Sequence, residues 1–316
     1  MMEQPFLRQE SAATSHAAWS PRSPAYEASR LRFYVLFVLS FFSCMQCACW
    51  FAFSSVDPAL VKAYMGAAVP NDATIALLLN WGPVVGVAAA PAQLRLGADA
   101  RGLERSVRAG AWLVFLGSAL RCAPCLVARA GRGAWWCVGC VHGGQILNAA
   151  AGPLCMGTVS RLSVVWFPER ERLFATAVGS MANGLGVVLM YPLAPAIVAR
   201  PRQFELLLLV LLACSAVPAV LAAAKFPAAP DAAPSAAAEA ARARVDGELA
   251  GRKAARRAPA PSALASYAAT VAAAGMVAGS ATAWQGVFQT VLKGPLGEKR
   301  IGLLRRPAAA TIFESF

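Results

Sequence analysis

"HGGQILNAAAGP", residues 142–153, sets a histidine, a glutamine and an asparagine inside one of the most apolar parts of the chain. It follows "AWWCVGCV" and precedes "LCMGTVS". On a helix turning about 100° per residue, His142, Gln145, Asn148 and Gly152 fall within an arc of about 120°. A polar side chain facing lipid is costly, so such a stripe is expected to face a bundle interior or a water-filled path.

The rest of the chain agrees with a membrane setting. Of 316 residues, 58% are hydrophobic and 14% charged. Soluble domains carry roughly 25% charged residues. The net charge of +13 does not point to nucleic acid. The cations flank long apolar runs and do not alternate with aromatic residues.

A spanning helix needs about 20 mostly apolar residues. Seven segments qualify: Arg32–Val56, Thr74–Leu96, Val107–Val127, Ala134–Ser160, Arg172–Ala199, Phe204–Phe226 and Leu264–Leu292. The last is the weakest, being rich in Ala, Gly and Thr. The expected organisation is a disordered cytosolic tail (1–31), a six-helix half (32–226), a cytosolic linker (227–263), a seventh helix (264–292) and an atypical tail (293–316). No signal peptide is expected, since the first thirty residues lack an apolar core. With the N-terminus cytosolic, the outer loops keep only Lys62, Arg129, Arg132, Arg200 and Arg202. The remaining loops are much more basic, which sets the expected orientation. Six helices, a long basic loop and then another helix is the layout of a transporter built from two six-helix halves.

"DARGLERS" (Asp99–Ser106) lies between the second and third spans. It resembles the D-x-R-G loop signature of the major facilitator superfamily, carried here by Asp99, Arg101 and Gly102. Asp99 would cap a helix or pair with a cation, and Gly102 would permit a tight reversal. "MQCACWF", "LLNWGP", "LRCAP", "HGGQILNAAAGP" and "VVWFPERERLFATAVGSMANGLG" then follow one fixed order through the first five spans. Together they resemble solute carrier family 49, which includes the feline leukaemia virus subgroup C receptors, and within it the disrupted in renal carcinoma branch.

The resemblance implies an all-α membrane protein: the N-terminal six-helix half of the facilitator fold plus a seventh helix, with the rest of the C-terminal half truncated. It implies alternating-access transport of a small organic solute that is vitamin B6-like, choline-like or haem-related. Choline-carrying members have Gln where this chain has Gly152, which favours the vitamin B6-like solute. The family has twelve spans, so the chain is expected to be a truncated or fragmentary transporter, or a half that needs a partner. The alternative function is a non-transporting receptor or assembly partner. The membrane would be plasma membrane or of lysosomal or vacuolar type.

The candidate solute-binding residues are Gln46, Trp50, Asn80, His142, Gln145, Asn148 and Asn183. Ser43, Gln46, Trp50 and Ser54 form a stripe on the first span within an arc of about 80°. Asn183 shares a face with Gly179 and Gly186 on the fifth. Trp50 would offer a π face to a cationic or aromatic solute. Gln46, Gln145 and Asn148 would fix its orientation by hydrogen bonds. His142 would couple transport to protons. Equally, the amides would tie neighbouring helices together, Trp50 would pack, and His142 would be interfacial.

Other polar features receive structural readings. Arg121, near the end of the third span, is expected to snorkel to the outer interface. Trp166 and Phe167 are expected at headgroup level, with Arg170 and Arg172 at the cytosolic surface. Gly179, Gly184 and Gly186 are expected to let a helix approach closely, and Pro192 and Pro195 to kink the fifth span. The C-x-x-C pairs Cys44/Cys47, Cys122/Cys125 and Cys137/Cys140 lie in apolar spans without further ligands, so no metal or cofactor is expected. No nucleophile–base pair, P-loop or carboxylate dyad is present, so no enzymatic activity is expected. The expected partners are the solute, the lipid bilayer and a coupled proton, not nucleic acid.

Overall fold

The computed structural model describes residues 26–65, 72–97, 101–126, 135–198, 200–243 and 247. Asp99, most of the basic linker and the seventh helix (264–292) lie outside them. Among the described residues, eight α-helices of the bundle follow in order. They are α1 (Leu31–Phe51), α2 (Pro58–Met65), α3 (Asp72–Leu96), α4 (Gly102–Cys122), α5 (Trp135–Met156), α6 (Val159–Trp166), α7 (Arg172–Ile197) and α8 (Pro201–Ala224). No strand occurs among the described residues.

Among the described residues, four helical stretches are long and apolar enough to cross a membrane: Leu31–Phe51, Gly102–Leu126, Glu169–Ile197 and Gln203–Ala224. The chain is an integral membrane protein. Helix α3 adds a shorter apolar stretch, Thr74–Ala89. At 22 residues, α5 has the length of a span, but His142, Gln145 and Asn148 dilute its apolarity.

Helix ends follow local chemistry. The first span stops at Phe51, not Val56, because Ser54 and Ser55 turn back. Their backbone N–H groups and both hydroxyls donate to the Phe51 carbonyl. Pro153 lies in the last turn of α5, and the Thr158 hydroxyl then donates to the carbonyls of Leu154 and Cys155. The fourth span therefore breaks at Gly157–Thr158 and resumes as the short α6. Helix α8 starts with Pro at its first position, and the Gln203 side chain accepts from the Arg200 N–H.

Helix α1 is the hub. It packs on α7, α5, α8 and α4, while α4 packs closely on α5 and α8, and α3 on α5. Its buried Val35, Leu39, Phe42 and Phe51 belong to one continuous apolar core. In lipid the apolar effect between helices is weak, so close backbone approach and interhelical hydrogen bonds supply much of the association. The α4–α5 contact shows this directly. A Cβ on Gly117 would lie 2.6 Å from the Gly144 carbonyl oxygen, and one on Gly144 would press on the Gly117 carbonyl.

The glycines of α7 divide. Gly186 faces the Cys44 carbonyl of α1, and a Cβ on Gly179 would meet Val159 at 2.9 Å. Gly184, expected in the same role, has open space around it.

At the Leu31 end, Arg32 pairs with Glu171 at 2.9 Å, Tyr34 donates to the Leu221 carbonyl, and Arg108 donates to the Ala222 carbonyl. Trp166 and Phe167 do not form the expected headgroup belt. Both are fully buried, because the break before α6 folds that amphipathic turn inward. Phe167 meets Phe33 edge-on. Arg170 is exposed. Arg172 is half-buried and reaches the Phe167 carbonyl and the Ser235 hydroxyl. The start of the linker carries a helical segment at 236–243. It rests on the bundle through that Arg172 contact and through Tyr26, which donates to Glu239.

Candidate functional site

Two polar clusters lie in the interior, both on α1 and α5. The first joins α1, α5 and α7. The Gln46 amide donates to the Asn148 carbonyl at 3.3 Å, and the Asn148 amide donates back to the Gln46 carbonyl at 3.0 Å. Asn183 donates to the Gln46 side-chain oxygen at 3.1 Å and to the Ser43 carbonyl at 3.0 Å. The Cys155 thiol also points at the Gln46 oxygen. Gly152 faces this group, and a Cβ there would sit 3.7 Å from the Gln46 amide nitrogen. Asn148 is completely buried, yet its side-chain oxygen has no donor among the described residues. An unmet buried acceptor costs about 1–3 kcal/mol.

The second cluster joins α1, α4 and α5 around Arg121. Its guanidinium donates to the Cys49 carbonyl at 2.6 Å, the Gln145 side-chain oxygen at 3.1 Å, the Ser118 hydroxyl at 2.9 Å and the Gly117 carbonyl at 3.3 Å. Gln145 passes the connection on by donating to the Trp50 carbonyl at 3.0 Å. Arg121 is 1% exposed and does not snorkel. The side chain turns inward because Gly144 leaves room for it: a Cβ there would meet Arg121 Cγ at 2.6 Å. Tyr64 fixes the same turn from α2 by donating to the Arg121 carbonyl at 2.7 Å.

Arg121 and Gln145 thereby close the C-terminal end of α1. The last carbonyls of a helix have no intrahelical donors and carry partial negative charge. Arg121 takes Cys49, Gln145 takes Trp50, and the Ser54–Ser55 turn takes Phe51. All of Arg121's acceptors are neutral. A helix terminus offers a cation up to about 2 kcal/mol in partly buried geometry. Burying an ion costs several kcal/mol even after relaxation. The cluster is thus well hydrogen-bonded yet retains a net positive charge.

Trp50 lies half-buried at the edge of the second cluster. Its Nε1–H donates to the Leu79 carbonyl at 2.9 Å, and its six-membered ring rests on Gly82 of α3 so closely that a Cβ could not be added. One edge of the indole is therefore anchored to α3. Half-buried His142 accepts at Nδ1 from Trp81 Nε1 at 3.0 Å, with the rings edge to face. That contact leaves the Nε2 edge of the imidazole to carry the proton of the neutral ring.

Of the seven candidate residues, Gln46, Asn148 and Asn183 come together directly. Gln145 belongs to the second group, between Arg121 and the Trp50 carbonyl at the end of α1. His142 stands apart with Trp81, and Asn80 is exposed on α3 and belongs to neither cluster. In the loop signature, Gly102 is buried, and a Cβ would lie 2.7 Å from the Gly97 carbonyl oxygen and from Arg161 Nη1. Close approach, not a left-handed backbone, requires glycine there. Arg101 pairs with Glu104 at 2.9 Å, and this hydrogen bond pushes its guanidinium above the ordinary range. Glu104 also holds Arg108 at 2.6 Å.

Sequence reasoning missed Ser118, Trp81 and the Gly117–Gly144 contact. A hint was available in the spacing of Gly117 and Arg121, one turn apart on α4. The nine cysteines are free thiols. Among the described residues, no group of three or more His, Cys, Asp or Glu side chains could hold a metal ion.

No protein-family model matches the chain. It is similar to curated proteins over part of its length. A Xenopus laevis protein, solute carrier family 49 member 4 homolog, is 34% identical over 190 residues, which is 60% of this chain and 38% of the relative. The Xenopus tropicalis protein of the same description is 33% identical over the same shares. A Danio rerio protein, solute carrier family 49 member A3, is 29% identical over 222 residues, 69% of this chain and 44% of the relative. The chain matches less than half the length of these relatives. The chain is thus similar, over 54–69% of its own length, to curated proteins described as members of solute carrier family 49.

Proposed function

We propose that the chain forms the N-terminal helical half of a facilitator-type carrier, which moves a small organic solute across a membrane by alternating access and is not an enzyme. The observation that carries this reading is Asn148. It is a completely buried amide oxygen without a donor among the described residues, and it sits where α1, α5 and α7 meet beside Gln46 and Asn183. A polar acceptor held open in the interior of a membrane bundle is suited to a solute donor or a water on a solute path.

Trp50 would form one wall of that path. Its indole is anchored at one edge, which leaves a face for an aromatic solute. Gln46 and Asn183 would hold the solute's polar groups, and the packed glycines of α7 would let that helix rock against α1. Transport of a vitamin B6-like solute fits an aromatic ring carrying several hydroxyls. Gly152 faces the Gln46 amide, where an added Cβ would sit in ordinary contact at 3.7 Å. His142 would take up the coupled proton at Nδ1, giving up the hydrogen bond it accepts from Trp81. Asn80, exposed on α3, would meet the solute only at the mouth. Asp99, Arg101 and Gly102 would form the conformational loop. The N-terminus and the linker would face the cytosol, in plasma or lysosome-type membrane.

The test is the movement of radiolabelled pyridoxine across membrane vesicles from cells expressing the protein. Saturable flux that falls at least tenfold with Trp50→Ala supports the reading. Saturable flux unchanged by that substitution rejects the proposed wall.

A further inference from the structure

We infer that Arg121 makes the solute path charge-selective: it admits neutral and anionic solutes and rejects permanent cations. The inference deepens the reading above and rests on it, since it concerns the same path beside Trp50. Its basis is the mismatch between the charge of Arg121 and the groups around it. The guanidinium is buried and meets two backbone carbonyls, one amide oxygen and one hydroxyl. None of these is a carboxylate, and the described ion pairs all lie at the other end of α4 and at the start of α1.

The dipole of α1 answers part of this charge, because the guanidinium caps the carbonyl end of that helix. A partial charge cannot cancel a whole one. In a medium of low dielectric constant the remainder reaches several ångströms with little screening. Trp50 lies within that reach. Its own carbonyl is held by Gln145, and Gln145 is held by Arg121. The Trp50 backbone carbonyl therefore sits two hydrogen bonds from a fixed positive charge, and a solute against the indole packs on that same residue.

The field opposes the attraction that an indole face ordinarily offers a cation. A neutral aromatic ring still gains its packing contact. A carboxylate or phosphate gains from the field outright. Arg121 thus separates two solute classes that Trp50 alone would accept.

Charged thiol reagents measure the potential without requiring a known substrate. Trp50→Cys places a thiol at the site in the full chain, in native membranes. Its rates with 2-sulfonatoethyl methanethiosulfonate, an anion, and 2-(trimethylammonium)ethyl methanethiosulfonate, a cation, are read peptide by peptide by mass spectrometry, which separates them from native thiols. Any effect of the field on the thiolate fraction cancels in the ratio of the two rates. The ratio is expected to favour the anion by about tenfold or more over that of a free thiol. Arg121→Gln should return it to the free-thiol value, and Arg121→Lys should preserve it.

A free-thiol ratio with Arg121 intact overturns the inference and leaves the carrier reading standing. Persistence of the anion preference in Arg121→Gln overturns it as well. If Arg121→Gln does not accumulate, Trp50→Cys alone decides by the first comparison. A thiol that reacts with neither reagent removes the water path beside Trp50 and overturns both readings.

Discussion

Gln46 and Asn148 hold each other's backbone: each side-chain amide donates to the other residue's carbonyl, at 3.3 and 3.0 Å. The pair locks α1 to α5 in register, since a shift of one residue in either helix breaks both bonds. Interhelical hydrogen bonds in membranes average about 0.6 kcal/mol and reach about 1.7. Asn148→Ala is therefore expected to cost about 1 kcal/mol, net of relieving the unmet acceptor. The check is thermal unfolding of the detergent-solubilised protein. A gain in stability would mean that the orphaned oxygen outweighs the clasp.

The glycines of α5 and α7 give a paired test of packing. Gly144→Ala would drive a methyl into Arg121 Cγ and the Gly117 carbonyl, neither of which has slack. Overpacking of this kind costs about 1–3 kcal/mol. Gly184→Ala meets nothing within 4 Å and should gain about 0.5–1 kcal/mol from helix propensity. Unfolding midpoints of the two variants should move in opposite directions. Equal shifts would contradict the described α4–α5 contact.

Glu104 anchors two arginines and should matter more than either partner at the loop. Arg101 is exposed, so Arg101→Ala is expected to cost less than about 1 kcal/mol. Glu104→Ala also releases Arg108, which caps α8 at the Ala222 carbonyl, and should cost about 1–3 kcal/mol. Stability of the two single variants, measured side by side, checks the order.

The proposed topology is tested by protease applied to sealed vesicles. Cleavage within 231–261 should occur only when the cytosolic face is accessible. Cleavage from the opposite face would reverse the orientation argued from the basic loops.

Helix α5 and its stripe were legible in the sequence because a period of 3.6 residues is a property of one segment. The partners of that stripe were not, because they depend on how closely two backbones approach. Arg121 shows the difference. Its position near a helix end favours snorkelling when only its own helix is considered. The missing side chains of Gly117 and Gly144 open an inward route that only the packed pair reveals. Trp166 and Phe167 misled in the same way: aromatic residues beside arginines read as an interface, but the break at Gly157 folds them inside. Asn80 looked equivalent to the other amides because composition carries no direction across α3.

The central claim is that the protein moves a small organic solute along the Trp50 side of the bundle. Radiolabelled pyridoxine flux in vesicles from expressing cells, compared with vesicles from cells lacking the protein, tests it most directly. The account predicts a saturable component that disappears with the protein and falls at least tenfold in Trp50→Ala. Identical flux with and without the protein would contradict it.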